Sequence, residues 1–522
     1  MNAIPIATVS PKKRRFPAVG KIYVKIPVRV ESPFLIGSGE DENSDLDVIR
    51  ESCWRELAGA ATFPSLADKN KETHILIPAS SLTGVFRAFL RDFAGQNGRD
   101  EFNLLFGEEA PGENMELLEG ENPQYEKKPQ SALQCEDVLL ENAKIKMRDG
   151  VRIDHKTNLA EDEGKYDYEI VEYLKDKTIP LNLKITQRHI GKTENVQRNV
   201  STEYCHQIVD ALIKGINAGR IRLGAKTNKG FGKLRVQENE VKIAVLDFKN
   251  SEDVKQWLSN EPAPKDFPAM AFTPLAIEAE EFEIEAYFQL KSSLLVRSYS
   301  VDPGAPDVVA MESFGEGVIP GPSLRGAIRH RAAKILRTVC PLTEDEKARD
   351  WVNEKVEALF GYVDENKKLA QRGRFVIEET PVRDVVKEVQ TRIKIDRFTG
   401  GTIHGALLEA MPLWQKSSGG NGLCLKMAVR KFEKWEAGLF LHILKDLWTG
   451  DLALGGEKSI GRGVLKAFQH PVQKYAAKIC WNGESVTLDV DEKGAPVAGE
   501  QDWKKLENFA TAFNEAMQNA TC

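Results

Sequence analysis

Two stretches of the chain alternate apolar and polar residues over nine positions each. In 22–30 the apolar positions are Ile22, Val24, Ile26, Val28 and Val30, and in 282–290 they are Phe282, Ile284, Ala286, Phe288 and Leu290. A period of two is typical of a strand with one buried face. The pattern therefore predicts two half-buried strands, each opening a separate segment of the chain.

A helical pattern follows each strand. After Ser81, a possible N-cap, one apolar face is formed by Leu82, Val85, Phe86, Phe89, Leu90 and Phe93. After Ser323 the counterparts are Leu324, Ala327, Ile328, Ile335 and Leu336. Further strands are predicted near 132–140 and 374–378, second amphipathic helices near 203–217 and 435–448, and a final strand leading into a glycine-rich loop in each segment. This order predicts an α+β fold made of two tandem ferredoxin-like, RNA-recognition-motif-like domains.

Four motifs occur twice in the same order, which indicates an internal duplication. Ile77-Pro-Ala-Ser-Ser-Leu-Thr-Gly-Val-Phe-Arg87 matches Ile319-Pro-Gly-Pro-Ser-Leu-Arg-Gly-Ala-Ile-Arg329, and Arg152-Ile-Asp-His-Lys-Thr157 matches Lys394-Ile-Asp-Arg-Phe-Thr399. Leu-Phe-Gly recurs at 105–107 and 359–361, and the glycine-rich loops are 223–232 and 454–463. The offsets differ between motifs, as expected for duplicated domains with loops of unequal length.

These patterns divide the chain into five regions. We predict a basic N-terminal arm at 1–19, a first domain at 20–240 and a linker at 241–280 that contains Glu261-Pro-Ala-Pro264. A second domain follows at 281–470, and 471–522 form a C-terminal extension.

Composition narrows the classes of protein without deciding the function. The chain has 522 residues, 41% hydrophobic and 29% charged, with a formal net charge of −6. No apolar run approaches the ~20 residues of a membrane-spanning helix. Seven cysteines lack paired spacing and eight histidines lack a cluster, which predicts reduced thiols, a cytoplasmic protein and no protein-built transition-metal site. An acidic total does not exclude nucleic acid, because binding depends on where the basic residues lie.

Basic and glycine-rich elements are the candidate RNA contacts. In the loop after the first strand these are Gly37, Ser38 and Arg50, and at the first helices they are Ser81, Arg87, Arg91, Ser323, Arg325, Arg329 and Arg331. In the glycine-rich loops they are Lys226, Asn228, Lys229, Phe231, Lys458 and Arg462. These loops look like phosphate cradles but lack the residue order of a nucleotide P-loop. A solvated basic face is the alternative for any one arginine.

The repeated motifs resemble those of the RAMP superfamily of CRISPR effector subunits. The resemblance covers about residues 20–470. Within the superfamily, the chain is similar to the backbone subunits of type III complexes, in a fused, type III-D-like form. The resemblance implies a guide-RNA-binding subunit that cleaves complementary target RNA at six-nucleotide spacing. It also implies a β-hairpin thumb in each domain that displaces one guide–target base pair, expected at about 155–185 and 397–415. The implied partners are guide RNA, target RNA, other RAMP backbone subunits, a large polymerase-like subunit and small subunits, with no membrane.

The resemblance also implies catalytic aspartates and a divalent ion such as Mg²⁺. Asp45 precedes Val48-Ile-Arg50 as in the family, with Asp47 as its neighbour, and Asp307 occupies the matching place in the second domain, with Asp302 as the alternative. Asp45 and Asp307 would be the metal ligands. The second domain lacks the glycines and the basic residue of this motif, so its activity is an open question.

Asp154 and Asp396 are expected to have a structural role, since basic residues flank both. They would orient Arg152 and His155, or Lys394 and Arg397, toward RNA, and Lys156 is a further candidate contact. A catalytic role for these two aspartates is the alternative.

Three functions remain open from the sequence. The first is a backbone subunit with nuclease activity, and the second is a non-catalytic assembly subunit that holds the guide. The third is a stand-alone guide-processing endoribonuclease, which is disfavoured because neither first loop contains a histidine to serve as the general base.

Overall fold

The structure is a computed structural model. It describes residues 17–38, 48, 50–51, 74–93, 99–107, 131–141, 143–154, 160–173, 176–189, 200–260, 262–267, 280–298, 304–364, 369–416, 420, 422–492 and 494–518. Most of the arm predicted at 1–19 therefore lies outside the described residues.

The described residues form a mixed α+β structure. The helices are Ala79–Phe93 (α1), Arg99–Phe106 (α2), Thr202–Asn217 (α3), Ser251–Leu258 (α4), Gly321–Val339 (α5), Asp345–Phe360 (α6), Lys434–Thr449 (α7) and Glu500–Gln518 (α8), with 3₁₀ turns at Thr227–Lys229, Glu238–Glu240 and Lys458–Ile460. None of these helices is long and apolar enough to cross a membrane.

The strands of the first half run from β1 to β11. They are Ala18–Val30 (β1), Arg50–Glu51 (β2), His74–Ile77 (β3), Leu133–Cys135 (β4), Val138–Leu140 (β5), Lys144–Ile153 (β6), Ala160–Glu172 (β7), Thr178–Arg188 (β8), Leu234–Val236 (β9), Lys242–Asp247 (β10) and Lys265–Asp266 (β11).

The strands of the second half run from β12 to β30. They are Glu281–Leu290 (β12), Ser293–Leu294 (β13), Arg297–Ser298 (β14), Val308–Ala310 (β15), Glu312–Ser313 (β16), Glu316–Ile319 (β17), Gly361–Asp364 (β18), Leu369–Arg372 (β19), Phe375–Ile377 (β20), Thr380–Pro381 (β21), Val385–Lys387 (β22), Gln390–Ile395 (β23), Thr402–Met411 (β24), Leu413–Gln415 (β25), Leu423–Arg430 (β26), Leu465–Ala467 (β27), Ala477–Trp481 (β28), Glu484–Val490 (β29) and Pro496–Val497 (β30).

Two antiparallel sheets organise the chain, and their central strands follow the same order. In the first sheet β1 lies between β8 and the strands β9 and β10, and β4 pairs with the far side of β8. In the second sheet β12 lies between β26 and the strands β27 and β28, and β20 pairs with β26. The shared strands therefore run β9-β1-β8-β4 in one half and β27-β12-β26-β20 in the other.

Each half has its own hydrophobic core. Alternate residues of β1, including Ile22, Val24 and Ile26, pack under α1 and α3, and alternate residues of β12, including Phe282 and Ile284, pack under α5 and α7. In both strands the apolar face that the period of two predicted to be buried is the face that lies in the core. Removing these faces from water provides most of the driving force for each half.

The structure shifts two of the expected boundaries. Part of the predicted linker pairs with the first sheet, since β10 lies against β1 with Val24 opposite Ile243. Part of the predicted C-terminal extension completes the second sheet, since β28 pairs with β12. Helix α8 packs along α7, where a Cβ at Gly438 would overlap the carbonyl oxygen of Phe509. Strand β10 therefore packs with the first core, and β28 and α8 pack with the second.

The predicted N-caps of the first helices lie three residues too far along the chain. Helix α1 begins at Ala79, directly after Pro78, and α5 begins at Gly321 after the extended residue Pro320. Asp137 Oδ1 accepts a hydrogen bond from the Ala79 amide at 2.6 Å, so a residue distant in sequence provides the cap of α1. Sequence-local cap rules could not detect this contact.

A long hairpin leaves each half of the molecule. β6 pairs with β7, and β23 pairs with β24. The repeated Ile-Asp motif lies at the tip of each hairpin rather than before it, so the hairpins span 144–172 and 390–411. Both hairpins begin before the positions expected for thumbs, 155–185 and 397–415, and overlap them in part; that the hairpins act as thumbs stays a prediction.

Candidate nucleic-acid interface

The two glycine-rich loops have the same backbone conformation. Lys226 and Glu457 both adopt the left-handed conformation, with φ of 56° and 55°, and Gly230 and Gly461 have φ of 91° and 84°. In the first loop the amides of Ala225 and Gly232 donate to the carbonyls of Leu35 and Pro33, and in the second loop Gly456 and Gly463 donate to Leu295 and Ser293. These amides hold each loop against the chain that follows the first strand, so they do not form the expected phosphate cradle.

Lys226 of the first loop is half-buried and lies over two tyrosine rings. Its Nζ lies 3.9 Å from the ring centroid of Tyr168 and 4.9 Å from that of Tyr166. Burial lowers the pKa of Lys226 to about 8, and the charge of Lys229 acts in the same direction. The two rings favour the ammonium form. A phosphate at this half-buried position would stabilise the charged form further.

Several predicted contacts of the first loop are engaged within the protein. Asn228 Nδ2 donates to Gly373 O at 2.9 Å, and its Oδ1 accepts from Arg372 at 3.0 Å. Phe231 is 1% exposed, with the Arg148 guanidinium 5.5 Å from its ring centroid. The Asn228 side chain therefore joins the two halves and Phe231 lies in the core, while contact of either residue with RNA stays a prediction.

The second loop carries a different charge arrangement. Glu457 replaces Lys226 and accepts hydrogen bonds from Arg392 at 2.9 Å and Arg462 at 2.8 Å. Arg462 is 2% exposed and also donates to Ser293 Oγ at 2.7 Å. All three guanidinium nitrogens of Arg462 bond within the protein, so this side chain has a structural role here, and its contact with RNA stays a prediction. Lys458, in contrast, is exposed.

Two arginines of helix α5 also have structural roles. Arg325 is 8% exposed, donates to the carbonyls of Phe360 and Phe375, and lies over both rings. Burial lowers its pKa to about 10, and the nearby charges of Arg329 and Arg372 add to the shift. Arg331 donates to the buried Asp446 at 2.6 Å, which joins α5 to α7. Both arginines therefore bind groups within the protein, and their contact with RNA stays a prediction.

Arg87 and Arg329 occupy equivalent places in the two halves. Each donates to the carbonyl of the glycine in the repeated Leu-Phe-Gly motif, Gly107 in one half and Gly361 in the other, at 3.4 Å. Arg329 is exposed and Arg87 is half-buried. Of the remaining predicted residues on these helices, Arg91 and Ser323 are exposed and Ser81 is half-buried.

A cluster of cations lies where the two halves meet. Burial lowers the pKa of Lys229, and the positive charges of Arg325 and Arg329 lower it further. Arg372, which bonds Asn228, has a pKa lowered first by burial and then by Arg222. Mutual repulsion among these groups would be relieved by a bound anion.

The hairpin tips carry exposed basic and apolar side chains. Arg152, Lys394 and Arg397 are exposed, while His155 and Lys156 lie outside the described residues. Ile393, Ile395 and Leu407 are 55%, 57% and 59% exposed, and Phe398 is fully exposed. On the first hairpin Met147, Val151 and Ile153 are 47%, 47% and 54% exposed. The ring of Phe398 is available to stack on a nucleobase, and the exposed aliphatic side chains are available for apolar contact with one.

Asp396 orders the tip of the second hairpin. Its Oδ1 accepts from the amides of Phe398 at 2.7 Å and Thr399 at 3.1 Å, and these bonds lower the pKa of Asp396. The expected structural role is therefore seen, but the carboxylate binds backbone amides of the turn rather than the neighbouring basic side chains. Asp154 is half-buried at the end of β6.

The loops expected to carry catalytic aspartates are partly described. Gly37 and Ser38 are exposed, and Gly37 forms a bridge with Val48, whose amide donates to Glu169 Oε2 at 3.1 Å. The backbone of Arg50 pairs with Ile75 in β2–β3, and its side chain is not described. Asp45, Asp47 and Asp302 lie outside the described residues.

Asp307 lies at the base of the second hairpin. It is exposed, and its Oδ2 accepts from the Glu409 amide at 2.9 Å, next to the parallel pairing of β15 with β24. Among the described residues, no group of three or more His, Cys, Asp and Glu residues is gathered as a metal site. Asp307 alone does not fit a protein-built ion site in this part of the chain.

Sequence reasoning missed the ion pairs that join the two halves. Arg148 pairs with Glu379 at 2.6 Å, and Glu378 pairs with Arg222 at 3.0 Å and with Lys233 at 3.0 Å. Glu378-Glu379 follows the repeat at offset 242 from Glu136-Asp137, which was the one signal available. Nothing in the sequence indicated which cations would meet these carboxylates.

Comparison with protein families accounts for most of the chain. The family model of the RAMP superfamily matches residues 28–235 and 287–466, one range in each half. A search of curated proteins found no match to the chain. The two matched ranges contain both glycine-rich loops, and each range begins within the last part of a central strand, β1 in the first sheet and β12 in the second. The chain therefore belongs to the RAMP superfamily, and this membership implies a CRISPR-associated RNA-binding subunit.

Proposed function

We propose that the chain is a guide-RNA-binding backbone subunit of a type III CRISPR complex, of the fused type III-D-like form, and that it cleaves complementary target RNA. Each half would be a ferredoxin-like domain that spans one repeat of the guide. The observation that carries the proposal is the duplicated arrangement itself: the same strand order, the same glycine-rich loop and a protruding hairpin with exposed apolar residues in each half.

The hairpins are suited to displacing a base pair. The ring of Phe398 is fully exposed to water, so stacking on a base would remove its apolar surface from water and add a favourable ring–base contact. Asp396 and the positive φ of Gly400 hold the turn in a fixed shape, which reduces the entropy lost when the tip enters a duplex. Two hairpins on one chain would displace pairs at the six-nucleotide spacing of the family.

The phosphates of the guide would follow the accessible cations. Among the predicted contacts, the exposed cations are Arg91, Arg152, Arg329, Lys394, Arg397 and Lys458, and the half-buried ones are Lys226 and Lys229. Gly37, Ser38, Ser81, Arg87 and Ser323 are the further proposed contacts, each exposed or half-buried. The cluster around Lys229 supports this path, because it concentrates positive charge at the boundary between the domains. Contacts of this kind give affinity rather than sequence preference.

Cleavage would use the 2′-hydroxyl of the target as the nucleophile. This oxygen loses its proton and forms a bond to the adjacent phosphorus, while the bond from phosphorus to the 5′-oxygen breaks and that oxygen gains a proton. The products are a 2′,3′-cyclic phosphate and a 5′-hydroxyl. A displaced base lets the backbone adopt the in-line geometry, and Asp45 or Asp307 would assist removal of the proton. Asp47 and Asp302 are the alternative residues.

The proposed cleavage would require Mg²⁺ or another divalent ion, and cleavage measured with and without a chelator tests this requirement. The described residues gather one carboxylate at the second site, so no step of the cleavage is assigned to the ion.

A binding-only subunit is the second candidate, and the contact of Asp307 favours it for the second domain. Its Oδ2 accepts from the Glu409 amide and thereby joins β15 to the hairpin. A carboxylate in this position can stabilise the base of the hairpin without taking part in chemistry.

Mapping of target-RNA products in the assembled complex distinguishes the two candidates. Asp45→Ala should remove one product, and Asp307→Ala should remove a second product six nucleotides away if the second domain is active. Asp307→Asn provides a control, since its amide oxygen still accepts from Glu409. Unchanged cleavage in a variant lacking Asp45, Asp47, Asp302 and Asp307 would leave the binding-only function.

A further inference from the structure

The first glycine-rich loop is covered by the second domain. The carbonyl oxygen of Lys229 lies so close to Gly321 that a Cβ there would overlap it, and a Cβ at Gly230 would overlap the amide of Glu379. Close backbone approach of this kind requires glycine on both sides. The start of helix α5 and the end of strand β20 therefore form a receiving surface for this loop.

Ion pairs fix this contact. Glu378 meets Arg222 and Lys233, and Glu379 meets Arg148, which is 3% exposed. Burial alone would raise the pKa of Glu378, but the charges of Lys233 and Arg222 outweigh it and lower the pKa. Removing these cations would leave two carboxylates without compensation in the interface.

Among the residues that the structure describes, none covers the equivalent face of the second domain, which we call the open face. Its glycine-rich loop has the same backbone conformation, yet Lys458, Ser459 and Ile460 are exposed, with Ile460 at 55%. A Cβ at Gly461 would meet open space, whereas its counterpart Gly230 lies against Glu379. The second domain thus presents, uncovered, the shape that the first domain uses to bind its neighbour.

The open face does not carry the charges of the covered one. Offsets of 231 and 242 place Ala453, Val464 and Gln390 where the first domain has Arg222, Lys233 and Arg148. A receiving surface with two carboxylates would therefore find no cation at these three positions. A partner that binds the open face should therefore have uncharged residues at the strand end that corresponds to Glu378 and Glu379.

The first domain of a second copy does not meet this requirement. Its receiving surface has Ala79 where the second domain has Gly321, and exposed Glu136 and Asp137 where the second domain has Glu378 and Glu379. Ala79 would overlap the carbonyl of Ile460, and the two carboxylates would face Ala453, Val464 and Gln390. Shape and charge therefore both oppose head-to-tail growth of identical chains.

We propose that the face formed by Ala453, Lys458–Gly461 and Val464 docks a different subunit of RAMP fold, whose first helix begins with glycine and whose adjoining strand end is uncharged. The proposal rests on the proposed function in one respect, that further subunits of the family share the complex. It follows that this chain enters an assembly as a single copy at a defined position rather than as a repeating unit.

The test uses the full chain without RNA, so that its outcome is independent of guide binding and cleavage. The wild-type chain should remain monomeric in sedimentation equilibrium at all concentrations. A chain carrying Ala79→Gly, Glu136→Gln and Asp137→Asn presents the receiving surface that the open face requires, and it should self-associate with increasing concentration. Adding Ile460→Glu should return this chain to a monomer.

Two results would overturn the proposal. One is a wild-type chain whose self-association is abolished by Ile460→Glu, because the mismatch would then not prevent growth. The other is a triple variant that remains monomeric while its melting temperature matches that of the wild type. Asparagine at 137 can still accept the hydrogen bond from the Ala79 amide, so the variant should fold.

Discussion

At the scale of single residues, burial separates two kinds of arginine that the sequence could not distinguish. Arg325 lies between two phenylalanine rings and donates to two buried carbonyls, whereas Arg397 is exposed at a hairpin tip. Both lie in repeated motifs next to glycine or aspartate. Only the packed structure reveals that one supports the core and the other faces solvent.

Substituting these two residues should give opposite results. Arg325→Ala should lower the free energy of unfolding by about 2 kcal/mol, since the carbonyls of Phe360 and Phe375 lose a buried donor. Arg397→Ala should leave stability unchanged and lower the salt slope of RNA binding by about one. Chemical denaturation and binding at several salt concentrations measure both. A reduced salt slope for a folded Arg325→Ala chain would contradict the structural role.

Lys226 should make RNA binding depend on pH. Its folded-state pKa is lowered to about 8, so the amine loses its proton as pH rises through this value and can no longer pair with a phosphate. RNA affinity should therefore fall between pH 7 and pH 9, with proton uptake on binding near pH 8. Titration calorimetry in buffers of different ionisation enthalpy measures this uptake.

Lys226→Arg is the matched control for the pH effect. Arginine retains its charge throughout this range, so the variant should bind RNA with a weaker pH dependence. An identical pH dependence in the variant would assign the effect to another group.

At the scale of elements, periodicity predicted the helices and strands that short stretches of sequence define, and it missed contacts between residues far apart in the chain. The strands at 22–30 and 282–290, the first helices and the glycine-rich loops lie where their patterns indicated. The family resemblance placed the thumbs after the repeated Ile-Asp motif, whereas each hairpin of the structure begins before this motif and carries it at its tip. The cap of α1 was missed because Asp137 reaches it from another part of the chain.

The sequence predicted which helices, loops and hairpins carry the candidate RNA contacts, but not which of their side chains are accessible. Accessibility decides which of its cations can meet a phosphate, and accessibility depends on contacts between halves that are more than a hundred residues apart. Asn228 illustrates this, because its partners Gly373 and Arg372 belong to the other domain.

At the scale of the whole molecule, the glycine-rich loops provide a matched pair of positions. Gly230 and Gly461 have the same left-handed backbone, but only Gly230 lies against the other domain. Alanine at either position should cost about 1 kcal/mol for its positive φ. Gly230→Ala should cost more and should separate the unfolding of the two domains, because the added methyl group overlaps the Glu379 backbone.

Differential scanning calorimetry of both variants tests this contact. A single cooperative transition in Gly461→Ala and two transitions in Gly230→Ala are expected. Equal thermograms for the two variants would show that the loop does not join the domains.

The central claim, that each half of the chain acts on one repeat of a guide–target duplex, is tested most directly by base-reactivity mapping of the duplex bound in the assembled complex. The account predicts two displaced pairs at six-nucleotide spacing, one of which becomes protected in Phe398→Ala. That variant should keep the wild-type melting temperature, because the Phe398 side chain is fully exposed. A continuously paired duplex, or a pattern unchanged by Phe398→Ala, would contradict the account.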